Sequence, residues 1–179
     1  FNNGFSTALA ADGLAIFHVS HVLVGTGGTL SNMGQSGVTY ALSQTTMEQA
    51  LIFISRWTDD QGKPINESAV SLAVPSEQRF VAEKILKTEY EVDTANNTIN
   101  PIRGMMPLVV TPYLTDTDSW FLITSVTTKR KTGFVSYNRR AAEMDRDSDF
   151  NTQNLLFSGS MRFSCGATDW RGGWGSSGA

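Results

Sequence analysis

The chain has 179 residues, 40% hydrophobic and 17% charged, with a net charge of −3 at pH 7. That length supports one domain or two small interleaved ones with a real core, and the charge content lies below the roughly 25% usual for soluble domains. The acidic balance excludes a protein that grips nucleic acid through a basic patch; the single cysteine, Cys165, excludes an intrachain disulfide; and no run reaches the ~18 apolar residues of a membrane span.

In chain order, Asp12-Gly13 reads as a turn. The apolar and β-branched residues of Leu14 to Val24 predict a strand, which Gly25-Thr26-Gly27-Gly28 ends. Residues 26–40 read as an irregular loop. Ser43 to Trp57 is the clearest helix: Thr45 and Glu48 fit a capping box, and Met47, Ala50, Leu51, Ile54 and Trp57 form one apolar stripe. Val70 to Val74 alternates as a strand. Pro75 is placed to open a second helix over about Ser76 to Lys87, with Val81, Ala82 and Ile85 inward and Phe80 beside them.

Residues 88–104 show no period and read as a loop. Met105 to Thr111 returns to strand character, with Pro107 marking an edge strand or a strand start. Ser119 to Thr124 is a strong strand. Further on, Gly133 to Tyr137 and Leu155 to about Ala167 read as strands. In the latter, Met161, Phe163, Cys165 and Ala167 alternate with Arg162, Ser164 and Gly166, which predicts one buried face. The tail from Arg171 to Ala179 is glycine-rich and expected to fray unless a neighbour holds it. There is no internal repeat. The order of elements gives an α+β fold with mixed sheets.

No catalytic, cofactor or metal residue is expected. His18 and His21 are three apart, so on a strand they point to opposite faces and share no ion. Ser36 lacks the G-x-S-x-G elbow, and Cys165 reads as a small buried hydrophobe. Gly25-x-Gly27-Gly28 is followed by Thr29-Leu30, neither a P-loop nor a dinucleotide fingerprint. Asp145, Asp147 and Asp149 alternate, but the EF-hand pattern wants Gly at 150 and Glu at 156. Phe150 and Leu156 stand there, leaving a solvated acidic turn. Lys129-Arg130-Lys131 and Arg139-Arg140 read as solvated loop charge. Trp57 and Trp120 are placed in the core; Trp170 and Trp174 need cover from the chain itself or from an adjacent subunit.

Several stretches, taken in order, resemble one family. They are Asp12-Gly13-Leu14-Ala15-Ile16-Phe17, then His21, then Gly27 to Asn32, the Gly62-x-Pro64-Ile65 turn, and the step Leu72-Ala73-Val74-Pro75. Ala82 to Lys87, Asn100-Pro101, Leu108 to Leu114, Ser119 to Leu122, Arg162 and Gly166 to Gly172 continue the match. The whole resembles the C-terminal part of tailed-phage major capsid proteins, with the Mu-type major head subunit group of the Hong Kong 97 fold as the close comparison.

The resemblance implies an axial domain, residues 39–124, with a mixed sheet flanked by helices. It is inserted between two pieces of a β-rich peripheral domain, residues 1–38 and 125–179. It also places loop 93–104 at a capsomer centre. Phe1 to Phe5 resembles the end of the family's spine helix, so an N-terminal arm, extended loop and spine helix are expected upstream. The function implied is a structural, non-enzymatic subunit of an icosahedral phage head, self-assembling into pentamers and hexamers around double-stranded DNA. It would be assembled in the host cytoplasm and located in the virion. The expected partners are copies of the chain, with scaffold, portal and decoration proteins as further candidates. Packaged DNA would be a non-specific neighbour, and no membrane is involved. A cellular nanocompartment shell of the same fold is the alternative.

Overall fold

A computed structural model describes residues 1–34, 40–90 and 98–178. Its centre is a four-stranded mixed sheet in the order β4-β3-β5-β8, formed by β3 (Ala69–Val74), β4 (Leu108–Val110), β5 (Trp120–Thr124) and β8 (Gly173–Ser176). β3 runs parallel to β4 and antiparallel to β5, and β5 runs antiparallel to β8. α1 (Gln44–Ser55) and α2 (Arg79–Lys87) supply the helical layer. The described residues therefore form the expected α+β class with a mixed sheet. Two further two-stranded sheets are short β1 (His21–Val22) with β2 (Thr29–Leu30), and long β6 (Phe134–Ser148) with β7 (Leu155–Ala167).

Alternation along the central strands explains the layers. Leu72, Val74, Trp120 and Leu122 point to one face, where they meet Met47, Ala50 and Ile54 of α1 and Ala82, Ile85 and Leu86 of α2 in the main core. Ala73 and Phe121 point to the other face and meet Phe17, with Phe5, Ile16 and Phe134 packed round them. Successive strand residues alternate between the two layers, and burial on both faces fits the apolar run Trp120 to Ile123 of β5.

Several expectations change here. The strand foreseen over 14–24 is broken: His21–Val22 pairs with β2, while Ala15 only bridges Leu9, because an Asp12-Gly13 turn folds the chain back on itself there. Gly13 takes a positive φ of 79°, and Leu14 N–H donates to Asp12 Oδ1 (3.1 Å). The cap of α1 is Ser43, not Thr45. Ser43 Oγ accepts from Thr46 N–H (3.2 Å), while Thr46 Oγ1 receives the Ser43 N–H (3.0 Å). That reciprocal pair satisfies two otherwise orphaned donors. α2 begins at Arg79, four residues after Pro75, so its phase turns Ala82, Ile85 and Leu86 inward. Phe80 (74% exposed) and Val81 stay in solvent. β4 starts directly after Pro107 and lies at the sheet edge, as a residue without an N–H requires.

Asn100 holds the chain between α2 and β4. Its buried Nδ2 donates to Ile85 O (2.6 Å) and Thr88 O (3.1 Å), and its Oδ1 accepts from Ile102 N–H (3.0 Å). Asn100→Ala is expected to cost about 1–3 kcal/mol, because it orphans buried backbone groups at the end of a helix. Urea denaturation with an unchanged slope is the measurement. The proposed capsomer-centre loop, 93–104, lies partly outside the described residues. Ser36 lies outside them.

Candidate assembly surface

The feature least like an isolated domain is the β6–β7 hairpin. From Ser136 to Gly166 every residue is exposed or nearly so. β6 has 15 residues and β7 has 13, and the register shifts twice, between Asn138 and Arg140 and between Arg140 and Glu143. Each shift places one extra residue in β6, which raises the twist of the ribbon. Thirteen residues at ~3.3 Å each give an arm about 43 Å long.

Its two faces differ. Leu155, Phe157, Met161, Phe163, Cys165 and Ala167 of β7 alternate on one face, Met144 joins them through its pairing with Gly159, and β6 adds Ser136, Asn138, Arg146 and Ser148 beside this apolar row. Phe157 is 76% exposed, Phe163 63% and Met144 96%. The opposite face carries Arg140, Glu143, Asp145, Ser158, Ser160 and Arg162. The alternation foreseen for β7 is present, but the face it defines is bare. Cys165 is exposed, not buried. The acidic triplet is no single turn: Asp145 and Asp147 lie in β6, and only Asp149 turns the chain, accepting from Asn151 N–H (3.0 Å) and Thr152 Oγ1 (2.7 Å). Those bonds hold the Asp149 carboxyl below its ordinary range. The strand expected to end at Tyr137 continues to Ser148 through Ala141-Ala142-Glu143-Met144, a helix-like composition that cross-strand pairing overrides.

The arm is rooted firmly. Phe134 stands edge-on to Phe1 (centroids 5.2 Å apart), and Phe1 lies 4.9 Å from Phe121. Where the hairpin crosses the tail, a Cβ on Gly133 would lie 2.6 Å from Gly172 Cα, so the two backbones meet at glycines. A groove of about 600 Å³, lined by Phe1, Leu9, Ile16, Phe134, Cys165 and Ala167 among others, runs onto the apolar face at this root.

The tail is not frayed. Trp170 and Trp174 are 5% and 0% exposed, and β8 pairs with β5 along its length. Trp174 packs on Trp120 at 4.8 Å, and Trp170 meets Trp57 at 5.6 Å. The cover that these tryptophans need comes from the chain itself.

The two histidines also depart from expectation. Their rings lie 5.9 Å apart, edge to face, because His18 precedes the two-residue strand and is not bound by its alternation. His21 is fully buried. Its Nδ1 meets Asp12 Oδ2 at 2.5 Å, its Nε2 meets Asn32 Oδ1 at 3.1 Å, and its ring stacks on Trp170 (4.5 Å, 1° between planes). Burial raises the Asp12 carboxyl, but bonds from His21 and Leu14 N–H outweigh it and leave the carboxyl below its ordinary value. Among the described residues no three His, Cys, Asp or Glu side chains gather as a metal site. Arg130, read as solvated, pairs with buried Glu67 (2.8 Å), which also accepts from Ser125 Oγ.

This architecture joins a well-packed body to a bare amphipathic arm. A family model described as "Phage capsid protein" matches residues 2–175. The chain belongs to that family. A comparison with curated proteins found no match. A phage capsid family is structural and non-enzymatic, implies location in the virion and suggests association of like subunits into capsomers. Among the described residues of this capsid chain, no helix is long and apolar enough to cross a membrane.

Proposed function

We propose that the chain is the C-terminal part of a tailed-phage major capsid protein of the Hong Kong 97 fold, in the Mu-type group. It assembles into the pentamers and hexamers of an icosahedral head around double-stranded DNA. The observation that carries this reading is the bare apolar row of β7 on the β6–β7 arm. A two-stranded ribbon ~10 Å wide and ~43 Å long presents roughly 400 Å² on one side, about half of one partner's share in a standard interface. An isolated hairpin is marginal in water, so this arm is built to be covered by another subunit. The net charge of −3 suits a wall facing DNA that must not stick to it.

The proposed domain plan keeps residues 39–124 as the axial domain, with residues 1–38 and 125–179 as the two pieces of the peripheral one. Contacts between the outer pieces support it: Asn32 Nδ2 donates to Trp170 O (2.9 Å) and Gly173 O (3.2 Å), and Met33 bridges Gly175. β8 is the part of the return segment that crosses into the axial sheet. The spine helix, extended loop and N-terminal arm belong to the segment proposed upstream. Scaffold, portal and decoration proteins are proposed as further partners.

Negative-stain microscopy of the full-length protein tests the reading. Closed icosahedral particles with hexameric lattices are expected. A strictly monomeric protein under all assembly conditions overturns it.

A further inference from the structure

The cluster round His21 stands apart from the arm. We propose that His21 is a proton-dependent clasp, holding residues 12–32 against the Trp170–Gly173 segment only while both of its ring nitrogens carry protons.

The argument rests on counting donors and acceptors. Asn32 Nδ2 faces three carbonyls: Ile16 O (2.7 Å), Trp170 O (2.9 Å) and Gly173 O (3.2 Å). Only the amide nitrogen fits there, so the amide orientation is settled, and Oδ1 is the acceptor that also takes His18 N–H (2.8 Å). The His21 Nε2 facing Oδ1 must therefore donate. The other nitrogen, Nδ1, faces the carboxylate of Asp12 and must donate as well. A ring that donates from both nitrogens is an imidazolium. The parallel indole of Trp170 favours that cation.

Neither partner is free to turn away. Asp12 Oδ1 is held by Leu14 N–H, and Asn32 is held by its three carbonyls. Loss of one ring proton thus leaves acceptor facing acceptor, either at Asp12 or at Asn32. The other titratable or charged groups round the ring are His18, whose Nδ1 accepts from Ser20 N–H, and Arg171, whose guanidinium lies 4.4 Å from the Trp170 ring and pairs with Asp60 and Asp169. The sign on the acid side follows from Asp12. Its carboxyl is lowered in the folded chain, so its contribution is present above the ordinary value of about 3.9 and is lost as pH falls through the folded one. Removing either ring proton opens the clasp. Opening loosens the strap that leads into β8.

The experiment uses 15N-histidine-labelled protein, in solution or by magic-angle spinning for assembled particles, with His18→Gln to assign the two rings. Two directly bonded protons on the His21 ring at neutral pH are expected. Thermal midpoints of wild type and His21→Gln, followed with pH, should show a wild-type advantage that shrinks as pH rises. An unprotonated ring nitrogen at neutral pH overturns the clasp, and so does a wild-type advantage that stays constant with pH. If His21→Gln does not fold, the ring spectrum decides alone.

Discussion

Deleting residues 170–179 is expected to abolish cooperative folding, although the segment is ten residues of glycine-rich tail. It removes Trp170 and Trp174 from the main core, strips β8 from β5, and leaves Asn32 Nδ2 without two of its three acceptors. Replacing one buried tryptophan by alanine costs about 3–5 kcal/mol, and a whole domain is stable by only ~5–15 kcal/mol. Trp174→Ala alone should therefore lower the urea midpoint sharply while keeping a single transition. The full deletion should give protease-sensitive material without a folded baseline. Intact, cooperatively folding protein after the deletion would show that β8 is an accessory strand.

The second large effect separates folding from assembly. Phe157, Met161 and Phe163 lie on the bare face of β7 and make no part of either core. Changing all three to serine should alter unfolding by no more than about 0.5 kcal/mol per site, as at other exposed positions. If each is a central contact worth about 2 kcal/mol, the triple change weakens each subunit contact on the order of 10⁴-fold. Sedimentation velocity and microscopy should then find folded chains and no particles. Particle formation at the wild-type yield would mean that this face is not where subunits meet.

The difference between these two regions shows what was legible in the sequence. α1, β3 and β5 were read correctly because their apolar residues follow the period of the element and that period survives folding. Trp120 lies in β5 and Trp57 just beyond the end of α1, and both are buried, at 0% and 2% exposure. β6 was missed beyond Tyr137 because Arg139 to Asp147 has no alternation of its own. The available signal was indirect: a thirteen-residue strand needs a partner, and Asp149 to Asn154 has the composition of a turn just before it. The capping pair of α1 lies at Ser43-Thr46, two residues before Thr45-Glu48; both satisfy local spacing, and the bond from Thr46 Oγ1 to Ala41 O (2.7 Å) ties the first pair to the incoming chain.

The candidate surface was half legible. Alternation in β7 identified which residues share a face, yet it pointed to a buried one. Alternation reports that two faces differ in polarity; it does not report which of them meets something. The opposite-face expectation for His18 and His21 likewise rests on strand geometry that applies to only two residues, and Asp12 and Asn32 reach His21 through turns no periodicity encodes.

By itself, then, the sequence determined the α+β class, the main helices and central strands, and the ordered set of short stretches shared with phage capsid proteins. These depend on neighbours within a few residues, where side-chain period and backbone propensity act directly. The tertiary structure alone decided that a glycine-rich tail is core, that an alternating strand is bare, and that a histidine is clasped between an aspartate, an asparagine and an indole. Each of these turns on which distant segment arrives at a given face, and that is settled by packing across the whole chain.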